Sequence, residues 1–347
     1  EGNRFRNLLA DTQLCGLAER SRTVRHLKSR SRLRNDQQSA RVGTHSAETA
    51  ISNSRQGVTL HFDYFAAIDW SGAVGARQTG IAVALCGVGN GAPALVRAGH
   101  IWSRVDVLEW LSTELPARTL IGLDLGMSLA FADCGAFFPG WNESPADARA
   151  LWALVERICT DDPHLSANSF VDHVQASRYF RRHGGRTGDL FPAGRGRLRV
   201  TERAQREQGL NPYSNFNLVG AAQVGKSSLT GMRMLHRLTD QLPVWPFDPL
   251  PETGSVVVEI YTSLAAREAG VAKGRSKMRD GATLDLALAA LGSELHDALL
   301  RYTDHATDAL LAAAWLRNVA GDHALWLPEG IERVRQTEGW TFGIRSG

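Results

Sequence analysis

Cysteine is scarce in this 347-residue chain: four thiols, Cys15, Cys86, Cys134 and Cys159, with no CxxC spacing and no histidine at zinc-site distance. A disulfide scaffold and a structural zinc site are thereby excluded, and the thiols read as buried small hydrophobes of a reducing compartment. Long apolar runs are also missing. None approaches the ~18–20 residues that a spanning helix needs, so the expectation is a cytoplasmic protein without membrane contact. A large charge excess is lacking too, since 39 Lys and Arg face 36 Asp and Glu. What is there is ordinary globular composition, 43% hydrophobic and 22% charged, which excludes wholesale disorder and fibrous architecture.

The near-neutral total conceals an uneven distribution. Residues 1–60 hold ten Arg and one Lys against five acids and none of the nine Trp. This segment reads as a disordered basic N-terminal arm outside the fold. Residues 178–206 hold nine Arg against Asp189 and Glu202, and the rest of the body is acidic.

From residue 63 the pattern becomes regular. DYFAAIDWSG (63–72), TGIAVALCGV (79–88) and ALVRAGHIW (94–102) read as three strands joined by short turns, hence antiparallel. SRVDVLEWLSTEL (103–115) opens with a Ser103-x-x-Asp106 capping box and continues at helical spacing. TLIGLDLGMS (119–128) is a continuous apolar run, the mark of a strand buried on both faces. After an irregular stretch, 129–254, with a helix at about 145–159, SVVVEIYTS (255–263) returns as a buried strand. Helices are expected at about 282–300 and 305–318. The sum is one α/β domain over 61–325, an antiparallel meander with added parallel strands. It carries an insertion at 129–254, and 326–347 follows as a C-terminal extension.

Acids sit where acids are costly. Asp69 and Asp124 each end an apolar strand, Glu259 lies near the end of a third, and Asp308 stands in an apolar helix with His305 one turn before it. A buried carboxylate needs a counter-charge, and an oxygen-rich set with an optional imidazole suits Mg²⁺ or Mn²⁺. Asp304 precedes the apolar stretch and reads as its cap.

The order strand-Asp69, meander, helix, strand-Asp124, HATDALLAAA resembles the ribonuclease H-like fold, and the last helix is similar to that of RuvC-type resolvases. Together IDWSGA, GLDLGMS, VVVEIYTS and HATDALLAAA resemble a family of predicted nucleases, number 429 in the domain-of-unknown-function series, over about residues 63–320. Thr262 stands where that family more often has Pro. The resemblance implies metal-dependent phosphodiester hydrolysis. Asp69, Asp124, Glu259 and Asp308 would be catalytic, and Asp69, Asp124, Asp308 and His305 would face the metals. Two alternatives stay open: an ATP-dependent phosphotransferase of the actin-like superfamily, and an inactive nucleic-acid-binding protein of the same fold.

Two further segments concern phosphate. Gly220-Ala-Ala-Gln-Val-Gly225-Lys226-Ser227 fits the Walker A pattern, but SNFNLV before it is a poor strand. The milder expectation is that Lys226 contacts a substrate phosphate. In 178–206, Arg178, Arg181 and Arg182 interleave with Tyr179 and Phe180, as a nucleic-acid track does.

Overall fold

The buried strands pair as their apolar runs require. A computed structural model describes residues 61–219, 224–272 and 278–345; the basic arm at 1–60 and the glycine loop at 220–223 lie outside the described residues. A six-stranded mixed sheet runs in the order β3-β2-β1-β4-β6-β5. Its strands are β1 Tyr64–Asp69, β2 Ala82–Gly87, β3 Ala94–Leu95, β4 Thr119–Asp124, β5 Val244–Trp245 and β6 Val256–Glu259. β2 pairs antiparallel with β1 and β3, whereas β1, β4, β6 and β5 run parallel. The expected α/β class and the antiparallel meander with parallel strands are both present.

Helices cover both faces. On one face Ala66, Ile68, Ile121, Leu123 and Val257 pack with α1 (Arg104–Thr113), α2 (Ala148–Ile158) and α5 (Val224–Arg237). Between these helices lies the short α3 (Asn168–Val171), followed by α4 (Val200–Glu207). On the other face Phe65, Ala67, Leu120, Val256 and Val258 pack with α6 (Thr262–Glu268), α7 (Gly281–Ala290) and α8 (Asp304–Val319). The alternation follows the two-residue period of a strand. Among the described residues no helix is long and apolar enough to cross a membrane.

Three expectations change. The third strand is two residues long and not nine, because Arg97 and Gly99 both take positive φ and turn the chain away. The helix expected at 282–300 stops at Ala290. There Gly292 adopts the left-handed conformation (φ 72°), and Ser293 N–H donates to Leu288 O, a Schellman ending. Residues beyond 326 are no appendage: Trp340, Phe342 and Ile344 are buried in the core, and Thr341 bridges to Glu259. The capping box of α1 forms as expected, with Ser103 Oγ accepting from Asp106 N (2.9 Å) and Asp106 accepting from Ser103 N (3.0 Å).

Candidate active site

Parallel pairing of β1 and β4 sets Asp69 directly opposite Asp124. In-register residues share a face, so the two carboxyls leave the sheet side by side toward α8. α8 begins after the Thr303 cap, whose Oγ1 accepts from Ala306 N (3.2 Å). Asp304, expected as the cap, instead pairs with Arg279 in the first turn (3.0 Å). One turn of α8 brings His305 Nδ1 to 3.2 Å from Asp69 Oδ2. Thr262, the first residue of α6, donates its hydroxyl to Asp124 Oδ2 (3.0 Å).

The electrostatics follow from this geometry. Burial raises the Asp69 pKa above the ordinary 3.8, although the His305 hydrogen bond opposes it. The Asp124 pKa goes up further: burial leads, the Asp69 charge adds to it, the Thr262 bond opposes, and Asp308 contributes more negative charge. The His305 pKa is raised by its bond to Asp69, then opposed by burial, with the charges of Asp69 and Asp308 also raising it. Asp69, Asp124, Asp308 and His305 therefore form one electrostatic unit. His305 also lines a groove of about 750 Å³ that runs past Thr79, Arg97, His100 and Leu300.

Glu259 stands apart from this unit and corrects the expectation that it joins the acids. Its β6 partner on β4 is Leu123, not Asp124, so its side chain leaves the opposite face of the sheet. There it is saturated. Oε1 accepts from Arg199 Nη2 (2.6 Å) and Thr341 Oγ1 (2.6 Å), and Oε2 from Arg199 Nη1 (2.8 Å) and Met127 N (2.7 Å). Glu202 pairs with Arg199 as well (3.0 Å). Glu338, fully buried, accepts from the backbone N–H groups of Phe131, Ala132 and Val200.

The arginine stretch divides. Arg197 and Arg199 are buried, the former paired with Asp133 (2.5 Å). Arg178 makes a fork to Asp189, and Arg182 and Arg186 share Asp172. Arg181 is exposed with no ion-pair partner among the described residues, while its backbone bridges to Asn217 and Thr187. Lys226 lies in the first turn of α5, where the backbone of Lys226 and Ser227 presses on Gly72, and Gly72 N–H donates to Ser227 Oγ (3.2 Å). A side chain at Gly72 would collide with that backbone, so the turn after Asp69 needs this glycine. The other half of the Walker-like pattern, 220–223, is outside the described residues.

Whether these residues fit a divalent cation turns on ligand number. Among the described residues no three His, Cys, Asp or Glu side chains converge on one point as a ready-made cage. The in-register pair Asp69–Asp124 supplies two carboxylates short of positive charge. Mg²⁺ is commonly held by one or two carboxylates, with waters and substrate phosphates completing the shell, so the pair fits that ion and does not fit a closed structural site. Comparison of the chain with protein-family models, curated proteins and solved structures finds no match.

Proposed function

We propose that the chain is a divalent-metal-dependent nuclease on a ribonuclease H-like fold. The observation that carries this reading is the in-register Asp69–Asp124 pair, with raised pKa values, beneath a helix that brings His305 and Asp308. The sheet order, with an antiparallel β1-β2-β3 meander and β4 parallel to β1, supports the fold assignment.

A bound Mg²⁺ or Mn²⁺ would supply Lewis acidity and a lowered water pKa at the scissile phosphate. Asp69 and Asp124 would hold the ion, and Asp308 would add negative charge to its field. His305 fixes Asp69 through Nδ1, and its half-exposed ring can hold or release a proton toward the groove. Thr262 orients Asp124. Of the basic side chains, Arg181 and Lys226 are available to a phosphate chain, whereas Arg178 and Arg182 are already paired. Glu259 has no part in the chemistry.

The test is cleavage of labelled DNA and RNA oligonucleotides with Mg²⁺ or Mn²⁺, against EDTA. Asp69→Asn and Asp124→Asn should each lower the rate by at least about 100-fold while keeping the fold by circular dichroism. Cleavage that survives both substitutions, or that needs no divalent ion, would sink the reading. ATP raising the Tm without metal-supported cleavage would favour the phosphotransferase.

A further inference from the structure

The turn that follows Asp69 is held by a buried guanidinium that meets no carboxylate among the described residues. Arg104, 1% exposed, donates Nε to His164 O (3.0 Å), Nη1 to Ser71 O (3.1 Å) and Ala73 O (3.1 Å), and Nη2 to Ala73 O (3.3 Å). All of these acceptors are carbonyls. No carboxylate meets this guanidinium among the described residues, and one of its N–H groups is left over. Burial pulls its pKa down to about 10, and the Arg233 charge adds to that. Stripping a cation of water with no counter-anion is costly, so an anion within reach would stabilise this site.

Its neighbours repeat the imbalance. Arg233, fully buried, gives Nε to Glu156 (2.5 Å) and Nη1 to Asp162 O (3.1 Å) and Ser166 O (2.5 Å), but its buried Nη2 finds no acceptor. Glu156 is already shared with Arg237. The Lys226 ammonium has neither hydrogen bond nor ion pair among the described residues. Burial lowers its pKa, and the acid opposing this is Asp172, which already serves Arg182 and Arg186. Ser166 Oγ is shielded from solvent and unpartnered. Arg104, Ser166 and Lys226 line one niche with Gly72, Ala73 and Asn168. Solvent has about 20 Å³ within it, room for about one water. The interior therefore excludes a nucleoside, and an oxyanion would sit at its mouth.

We propose that this niche is an oxyanion subsite taking one phosphoryl group, with Lys226 as the direct contact and Ser166 and Arg104 as the fixed polar and charged groups behind it. Its assignment to a substrate strand, beside the reacting phosphate, rests on the nuclease reading; the binding of phosphate itself does not. Gly72, three residues beyond Asp69 in the chain, lines the niche, so the turn that leaves the acid also forms part of the wall around the anion.

The test uses the full chain in EDTA, so that hydrolysis plays no role. Thermal unfolding is followed in potassium phosphate and in potassium chloride of equal ionic strength. Phosphate in excess of its Kd should raise the Tm by about 2–4 °C over chloride. Lys226→Met, which keeps the apolar stem, should lose that shift, Ser166→Ala should reduce it, and Asp69→Asn should retain it. No shift in the wild type, or an equal shift in Lys226→Met, overturns the proposal. Phosphate displacing a labelled oligonucleotide in EDTA assigns the niche to the strand; phosphate binding beside it assigns the niche to free anion, and the site stands in both cases. A chain that binds phosphate through Lys226 yet never cleaves would refute the nuclease reading alone.

Discussion

Two neighbouring carboxylates without a cation oppose their own folding. Asp69 and Asp124 both have pKa values above 3.8 in the folded chain. Between 3.8 and the folded value, the native state holds protons that the unfolded chain has released. Their contribution is therefore fully present below 3.8 and is lost as pH rises through the folded pKa. His305, raised above 6.5, acts in the same direction: its contribution is present below 6.5 and fades above its folded pKa. In EDTA, the Tm of the wild type should fall from about pH 5 to about pH 8, and Asp124→Asn should fall less and melt higher at neutral pH. Parallel melting curves for the two proteins across that range would contradict this.

At the residue scale, the legibility of the site was a matter of chemistry versus register. Asp69, Asp124, His305 and Asp308 were readable because each breaks an apolar pattern. Glu259 breaks its pattern in the same way, yet it serves a buried arginine. Nothing local distinguishes the cases, since a one-residue difference in strand pairing selects the face. Thr262 signalled itself only as a departure from proline, and its role as a donor to Asp124 needed the fold. Arg104 gave no signal at all: an arginine at the start of an amphipathic helix reads as solvated.

At the scale of elements, α8 is the part on which the chemistry depends, because it packs on β1, β2 and β4 and carries both His305 and Asp308. Gly122 is what lets it settle. A Cβ there would come within 2.8 Å of Ile260 Cδ1 and Leu316 Cδ1. Gly122→Ala should cost about 1–3 kcal/mol in urea unfolding. It should also lower cleavage, although Gly122 touches no reacting group; full activity with lost stability would show that α8 keeps its place. The boundaries of α1 and β4 were written in the sequence by a capping box and an apolar run. The brevity of β3 was not, because the turn begins at Arg97, whose positive φ carries no sequence mark, and Gly99 comes only after it.

For the whole molecule, the charge asymmetry seen in the composition is resolved partly inside the fold. Part of the arginine excess is structural, as in the buried Arg199 between Glu202 and Glu259, a network that joins β6, α4 and the chain near Thr341. Breaking a buried pair by removing one partner leaves an uncompensated charge, so Glu259→Ala should destabilise by about 3–5 kcal/mol in denaturant titration. Under conditions where that variant is still folded, its cleavage per folded molecule should match the wild type; a selective loss of turnover would restore Glu259 to the chemistry.

The same network has a consequence for biosynthesis. Glu259 and Arg199 leave the ribosome long before Thr341 does, and until then the carboxylate lacks one of its donors and the sheet lacks the Trp340–Phe342 side of its core. The central strands are therefore made but unsealed until a segment 82 residues downstream of Glu259 has been synthesised. A chain ended shortly before Thr341 should keep every candidate catalytic residue yet melt well below the full chain, because it lacks the Thr341 donor and the buried Trp340, Phe342 and Ile344; equal melting temperatures would contradict this.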